Sequence, residues 1–382
     1  MKRFFSYIIL SFFLLLLPTG QASANNNDSI RLSLLTCAPG EEIYSLFGHT
    51  AIRYENSSQG IDVVFNYGLF SFNTPNFIFR FSLGETDYQL GATDYERFAA
   101  EYAFFGRSVW QQTLNLTDEE KTELIRLLQE NYRPENRVYR YNFFYDNCAT
   151  RPRDKIEESI AGKVIYPAEP QDGSLTFRDI VHQYCKGHPW ARFGIDLCIG
   201  SEADQPITQR QMMFAPFYLM DAFDGAQIKS DSIQRPLITA NELVVDATPE
   251  PDESGWMPTP LQCTLLLFIL TTAATIYGIR RRTGLWGIDL FLFGIAGIVG
   301  CVLAFLALFS QHPAVSSNFL LLVFHPGQLL FLPYIIYCVR KGKKCWYLTL
   351  NLAVLTLFIV LFPVIPQRFD FAVVPLALVL LI

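Results

Sequence analysis

The carboxyl-terminal third of the chain consists of long apolar runs separated by short polar loops. Four runs are long enough to cross a bilayer as helices, which rise 1.5 Å per residue. These runs cover 261–279, 285–309, 319–339 and 346–364. A further apolar run, 371–382, is shorter and is either a clipped fifth span or a partial insertion. The pattern predicts that 256–382 forms a helical membrane domain.

Loop charge predicts the orientation of this domain. The loops after the first and third runs carry seven Lys and Arg residues, whereas the loops after the second and fourth carry only Arg368. Because positively charged loops stay in the cytoplasm, the chain before the first run is expected outside.

The amino terminus agrees with export. Residues 1–24 have Lys2 and Arg3, an apolar run at 7–18 and a small-residue Ala22-Ser23-Ala24 site, as a signal peptide does. An uncleaved anchor is the alternative. No run within 25–255 is long enough to span, so this part is expected to be an exported domain, joined to the spans by the Pro- and acid-rich linker 247–260.

Composition excludes some functions. The chain has 382 residues, 51% hydrophobic and 17% charged, with a net charge of -6. It therefore lacks the basic surface that nucleic acid requires and is too apolar for a disordered protein. The exported part has no CxxC or HExxH spacing, so we expect neither a metal nor another cofactor. Cys185 and Cys198 are expected to form a disulfide in an oxidising compartment.

Residue patterns within 25–255 predict an α+β domain. Segments 31–35, 50–54 and 61–67 have strand patterns, and 137–143 is aromatic and extended. Thr117 and Glu120 form a capping-box pattern before a helix that reaches about 131, and 148–160 continues as a second helix. The alternating segment 77–81 is expected to bury one face.

Cys148 is the candidate nucleophile. It follows Asn147 and precedes a helical segment, and a helix amino terminus stabilises a thiolate. His49 follows Gly48 at the start of a predicted strand and is the candidate base. From spacing alone, a buried cysteine and an unrelated histidine are equally consistent with the sequence.

Four segments together resemble a known family. They are LLTCAPG at 34–40, FGHTAIR at 47–53, FNYG at 65–68 and NFFYDNCATRPRD at 142–154. A Gly-His pair followed by a distant Asn-Cys pair resembles the circularly permuted papain-like thiol enzymes, which include the lecithin–retinol acyltransferase-like and NlpC/P60-like proteins. With the multi-span tail, the full set is similar to the Lnb-type lipoprotein N-acyltransferases of Gram-negative bacteria.

The resemblance implies an inner-membrane enzyme with a periplasmic thiol domain. It implies that Cys148 takes an acyl chain from a membrane phospholipid as a thioester. The α-amine of a diacylglyceryl lipoprotein then accepts that chain. Two other functions stay open: a periplasmic cysteine hydrolase acting on peptidoglycan or lipid, and a non-catalytic lipoprotein chaperone or envelope sensor.

Further residues are candidates for supporting roles. Asn66 is the first choice to orient the imidazole and Asp62 the second, whereas Asn147 is expected to stabilise an oxyanion. Phosphate contacts are expected from arginines, with surface ion pairs as the alternative. These arginines are Arg53, Arg107, Arg151 and Arg153, of which the last two are favoured because they adjoin Cys148.

Two histidines and the aromatic residues complete the set. His312 in the external loop and His325 within the third run are candidates for contacting a substrate headgroup. The aromatic segments 70–72, 77–81 and 104–105 line an acyl channel or belong to the core.

Overall fold

The fold is that of a computed structural model, described for 29–73, 75–167, 175–230, 234–247 and 256–382. The predicted signal peptide, 1–24, lies outside the described residues, as does most of the predicted linker.

The exported part is built on a seven-stranded antiparallel sheet. The strands described are β1 Ile30–Cys37, β2 His49–Asn56, β3 Ile61–Leu69, β4 Asp87–Asp94, β5 Val109–Leu114, β6 Val138–Arg140, β7 Lys163–Ile165, β8 Gln227–Lys229, β9 Gln234–Pro236 and β10 Ile238–Val245. The main sheet has the order β10-β5-β1-β2-β3-β4-β6, and β7, β8 and β9 form a small second sheet. The strands predicted at 31–35, 50–54 and 61–67 correspond to β1, β2 and β3.

Helices cover this sheet and extend the domain. They are α1 Phe77–Leu83, α2 Tyr95–Phe104, α3 Asp118–Tyr132, α4 Thr150–Ser159, α5 Phe177–Tyr184, α6 Pro189–Cys198, α7 Gln209–Met212 and α8 Pro216–Asp224. The predicted capping box is present: the Glu120 amide donates to Thr117 Oγ1, and the Thr117 amide donates to the Glu120 carboxylate. The mixed α/β character of the exported domain is confirmed.

Strand register sets the position of the candidate base. In the β1–β2 pair Cys37 lies opposite His49, and in the β2–β3 pair Ala51 lies opposite Asn66. Leu32, Leu34 and Ile52 of these strands are buried in the core below. Leu35, Cys37 and Ala51 are buried in a second cluster, so a slip by one residue would exchange the side chains of two packed clusters.

Two sequence expectations for this part are wrong. Segment 77–81 belongs to helix α1, which has no buried residue. Asn76 and Gly84, both in the left-handed conformation, mark the two ends of this short helix. Cys185 and Cys198 are free thiols rather than a disulfide. Cys185 ends α5 within an apolar cluster, whereas Cys198 ends α6.

The membrane part contains two long helices and several shorter ones. They are α9 Pro260–Arg281, α10 Trp286–Phe309, α11 Pro326–Leu330, α12 Leu332–Lys341, α13 Trp346–Leu361 and α14 Val373–Val379. Among the described residues α9 and α10 are long and apolar enough to cross a membrane. The segment predicted as one span at 319–339 passes that test only as a bent pair, with an angle of 72°.

Local chemistry explains the bend. Pro326 and Pro333 lack the amide hydrogens that a continuous helix uses. The backbone of His325 packs so closely on Gly300 of α10 that a Cβ at Gly300 would collide with it. The predicted continuous helix is therefore replaced by a 3₁₀ turn, Phe319–Leu322, followed by α11 and α12.

The loops after α10 and α13 meet the exported domain. The Gly200 amide donates to Ala314 O at 2.6 Å, and Arg368 pairs with Asp179 and Asp204 at 2.6 and 3.0 Å. These are the loops predicted to be external. The Arg-rich loops lie at the other ends of the helices, so the contacts agree with the orientation that loop charge predicts.

Candidate active site

Asn147 holds the loop that carries Cys148. Its Oδ1 accepts hydrogen bonds from the amides of Ala149 and Thr150, at 2.8 and 2.9 Å. Its Nδ2 donates to the carbonyl oxygens of Phe143 and Phe214, both at 2.8 Å. Both amide hydrogens are thus occupied, which favours a positioning role for Asn147 over the predicted oxyanion role.

Cys148 lies just before α4 and against the end of β3. A Cβ placed on Gly68 would lie 3.4 Å from Cys148 Cβ, and Gly68 has a φ of +89°, which disfavours other residues. The amide of Thr50 hydrogen-bonds to the thiol. Since Thr50 directly follows His49, the sheet brings the candidate nucleophile next to the strand end that carries the candidate base.

His49 is oriented by Asn66. The imidazole Nε2–H donates to Asn66 Oδ1 at 3.2 Å, which leaves Nδ1 as an unprotonated acceptor. Gly48 allows the turn before His49: its φ is +75°, and a Cβ there would lie 2.6 Å from Cys37 O. The second choice for this role, Asp62, pairs with Arg53.

Burial keeps both candidate groups neutral. Desolvation raises the pKa of the Cys148 thiol to about 11, although the amides of Thr50 and Cys148 oppose the rise. Desolvation likewise lowers the pKa of His49 to about 4, with Asn66 opposing the change and Arg107 adding to it. Between these two values the resting pair is a thiol and a neutral imidazole, not a thiolate and an imidazolium.

This neutral pair predicts how Cys148 reacts with iodoacetamide. Because only the thiolate is alkylated, the rate at Cys148 should rise about tenfold per pH unit from pH 6 to 9 without a plateau. The rate is measured by mass spectrometry of the tryptic peptide 141–153 after short pulses. A fast, pH-independent rate between pH 5 and 8 would show an ion pair and contradict the expectation.

Two of the predicted phosphate-binding arginines are held by carboxylates. Arg53 donates to both oxygens of Asp62, at 2.8 and 2.7 Å, and lies over the Tyr95 ring. Arg151 donates to both oxygens of Asp146, at 2.6 and 2.7 Å. Both guanidinium groups therefore have structural partners, as the ion-pair alternative expected.

Arg153 is also engaged, whereas Arg107 lies closer to the candidate base. Arg153 is buried and pairs with Asp154. Arg107 donates from Nε to Ala38 O at 2.8 Å and lies over the Tyr102 ring. No ion pair of Arg107 occurs among the described residues. The charge of Arg107 acts on His49. Arg107 is therefore better placed than Arg153 to bind an anionic substrate group.

The two histidines of the membrane part lie in different places. His312 contacts the exported domain, where its ring N–H donates to Phe81 O at 2.5 Å and desolvation lowers its pKa. His325 lies at the break before α11, with its ring 6.3 Å from that of Tyr347. In the described ranges, no recorded contact joins His325 to Cys148 or His49.

Within the described part of the chain, no group of three or more His, Cys, Asp or Glu side chains is placed to hold a metal ion. A cavity of about 420 Å³ lies elsewhere, lined by residues that include His182, Cys185 and Arg192.

Comparison with known families covers most of the chain. The family model of the Lnb N-terminal periplasmic domain matches residues 20–182, and that of the Lnb transmembrane domain matches residues 252–382. No curated protein and no solved structure matches the chain. The family indicates a role in lipoprotein maturation at the membrane. The chain therefore belongs to the Lnb family and is an inner-membrane protein whose N-terminal domain lies in the periplasm.

Proposed function

We propose that this protein is a lipoprotein N-acyltransferase that works through a thioester on Cys148. The observation that carries the proposal is the position of Cys148 before α4, against Gly68 and the amide of Thr50, which directly follows the histidine that Asn66 orients. A nucleophile, a base and a group that orients the base form the usual set for acyl transfer.

The same residues support a circularly permuted papain-like fold for the exported domain. In chain order the base on β2 comes first, the orienting Asn66 on β3 second, and the cysteine before a helix last. Antiparallel pairing of β2 with β3 places base and orienting residue on neighbouring strands.

In the proposed first step, Cys148 Sγ attacks the ester carbonyl of a phospholipid. Because burial raises the pKa of the thiol and lowers that of His49, a preformed ion pair is unfavourable, so the proton moves to His49 Nδ1 as the S–C bond forms. The tetrahedral intermediate then breaks its C–O bond. The lysophospholipid oxygen takes the proton from His49, and an acyl-thioester remains on Cys148.

In the proposed second step, the free α-amine of a diacylglyceryl lipoprotein attacks the thioester carbonyl. His49 accepts a proton from the attacking amine, the C–S bond breaks, and Cys148 recovers its proton from His49. The products are an amide-linked acyl chain on the lipoprotein and the free thiol. Such an exchange predicts ping-pong kinetics.

The proposal is tested on lipoproteins from cells that have or lack the protein. We expect mass spectrometry of a lipoprotein N-terminal peptide to show the N-acyl mass only where the protein is present. Persistence of that mass in cells that lack this protein and every other N-acyltransferase would contradict the proposal.

An assay with purified protein separates transfer from hydrolysis. With phospholipid and a diacylated lipopeptide, transfer should give triacylated lipopeptide and lysophospholipid in equal amounts. A lipid hydrolase would instead release free fatty acid whether or not lipopeptide is present. A peptidoglycan hydrolase would release cell-wall fragments and leave both lipids unchanged.

A further inference from the structure

An aromatic segment of the exported domain presents apolar side chains outward. Helix α1 and the turn before it carry exposed Phe72, Ile78, Phe79 and Phe81, and the side chain of Ile78 is 80% exposed. None of the residues of α1 is buried. Soluble surfaces rarely present a continuous apolar patch of this kind, and such a patch commonly marks contact with a protein or a membrane.

Contacts with a membrane helix fix the level of α1. The Phe79 ring lies 5.8 Å from that of Phe305, which precedes the end of α10 by four residues, or about 6 Å of helix rise. After α10, the Gln311 amide donates to Leu83 O at 2.8 Å. Helix α1 therefore lies beside the last turn of a helix that is long and apolar enough to span the membrane.

The other end of this segment leads to the thiol through stacked rings. Phe77 stacks on Phe70 at 5.7 Å, and Phe70 lies 5.1 Å from Tyr88. Tyr88 in turn stacks on Tyr141 at 4.1 Å. Tyr141 and Cys148 both border Gly68, so a row of contacting aromatic rings leads from Phe77 of α1 to the candidate nucleophile.

We propose that Phe72 and helix α1 are embedded in the acyl region of the periplasmic leaflet and that the aromatic row guides a phospholipid acyl chain to Cys148. The occupant is the lipid of the membrane that holds α10, because α1 continues the apolar surface of that helix. Apolar faces of interfacial helices enter a membrane by 5–10 Å, which agrees with the level of Phe79. The guiding role rests on the proposed acyl transfer, whereas the embedding does not.

Photolabelling tests the embedding. The full chain is placed in vesicles of phosphatidylethanolamine and phosphatidylglycerol that include a phospholipid with a diazirine in its acyl chain. After irradiation, we expect lipid adducts on the tryptic peptide 54–80 at several times the level on 164–178. Equal labelling of the two peptides would overturn the proposal.

A matched pair of variants tests the same surface. Ile78→Glu places a charge on α1, whereas Ile165→Glu makes the same change at a 41% exposed isoleucine on β7, beyond the far end of α4. We expect Ile78→Glu to lower labelling of 54–80 and acyl transfer at least fivefold each, with alkylation of Cys148 unchanged. Ile165→Glu should change none of these.

The outcomes distinguish the two proposals. Strong labelling of 54–80 in a wild-type protein that transfers no acyl chain would leave the embedding in place and contradict the proposed function. Acyl transfer by a wild-type protein without such labelling would support the function and overturn the embedding. Equal activity of the two variants would overturn the guiding role.

Discussion

Cys148→Ser is expected to lower acyl transfer by at least about 10³-fold, a loss typical for removal of a nucleophile from a catalytic set. Serine has nearly the same size, so the hydrogen bonds of Asn147 and the contact with Gly68 should persist. Its hydroxyl is far less acidic than a thiol, and His49, with a pKa of about 4, is a weak base for it. The measurement is triacylated lipopeptide formed per minute by purified protein.

A second cysteine provides the control for this result. Cys198 is partly exposed at the end of α6, and Cys198→Ser should leave transfer within twofold of wild type. Neutral hydroxylamine should release acyl chains from wild type and from Cys198→Ser but not from Cys148→Ser. Full transfer by Cys148→Ser would show that the thiol is not the nucleophile, whereas the chaperone or sensor alternative predicts no transfer by any of these proteins.

Arg178→Met is expected to destabilise the chain by about 3–5 kcal/mol, because it removes the buried guanidinium that pairs with two carboxylates. Arg178 is fully buried and pairs with Asp196 at 2.6 Å and with Asp204 at 2.8 Å. It also donates to the carbonyl oxygens of Ile199 and Gly200. The expected result is a drop of about 10 °C in the unfolding temperature of the detergent-solubilised protein.

An exposed arginine gives the matched control for this substitution. Arg126 pairs with Glu123 one turn earlier on α3, and its side chain is 59% exposed. Since exposed pairs of this kind contribute little, Arg126→Met should change the unfolding temperature by about 1 °C or less. Equal melting of Arg178→Met and wild type would show that Asp196 and Asp204 are neutralised by other groups.

The fold was predictable where side-chain periodicity reflects burial in a protein core. Helix α3 has such periodicity, and Thr117 and Glu120 mark its start. Strand β1 is instead buried on both faces, and its apolar residues predicted it without strict alternation. The interpretation fails at α1, where alternating Phe77, Phe79 and Phe81 suggested one buried face. Periodicity does not distinguish a core from lipid as the apolar environment, and the left-handed Asn76 and Gly84 set the helix bounds.

The site was predictable where short motifs hold their own geometry. His49, Asn66 and Cys148 were identified from Gly-His, strand and Asn-Cys patterns, and the structure places them on neighbouring strand ends and a helix start. The contacts that each arginine makes were not predictable in the same way. Arg151 adjoins Cys148 in sequence but is neutralised by Asp146, whereas Arg107 approaches through the pairing of β1 with β5.

The ion pairs of Arg368 hold the periplasmic domain at one height over the bilayer. Arg368, in the loop after α13, pairs with Asp179 and Asp204 and so joins the periplasmic domain directly to the membrane part. A nucleophile at a fixed distance from the bilayer meets mainly those groups that a lipid anchor holds at the same distance. In the proposed reaction, an anchored amine is concentrated in a thin layer, whereas a soluble peptide is dilute. For this reaction we therefore expect lipid-bearing acceptors to be favoured over soluble peptides.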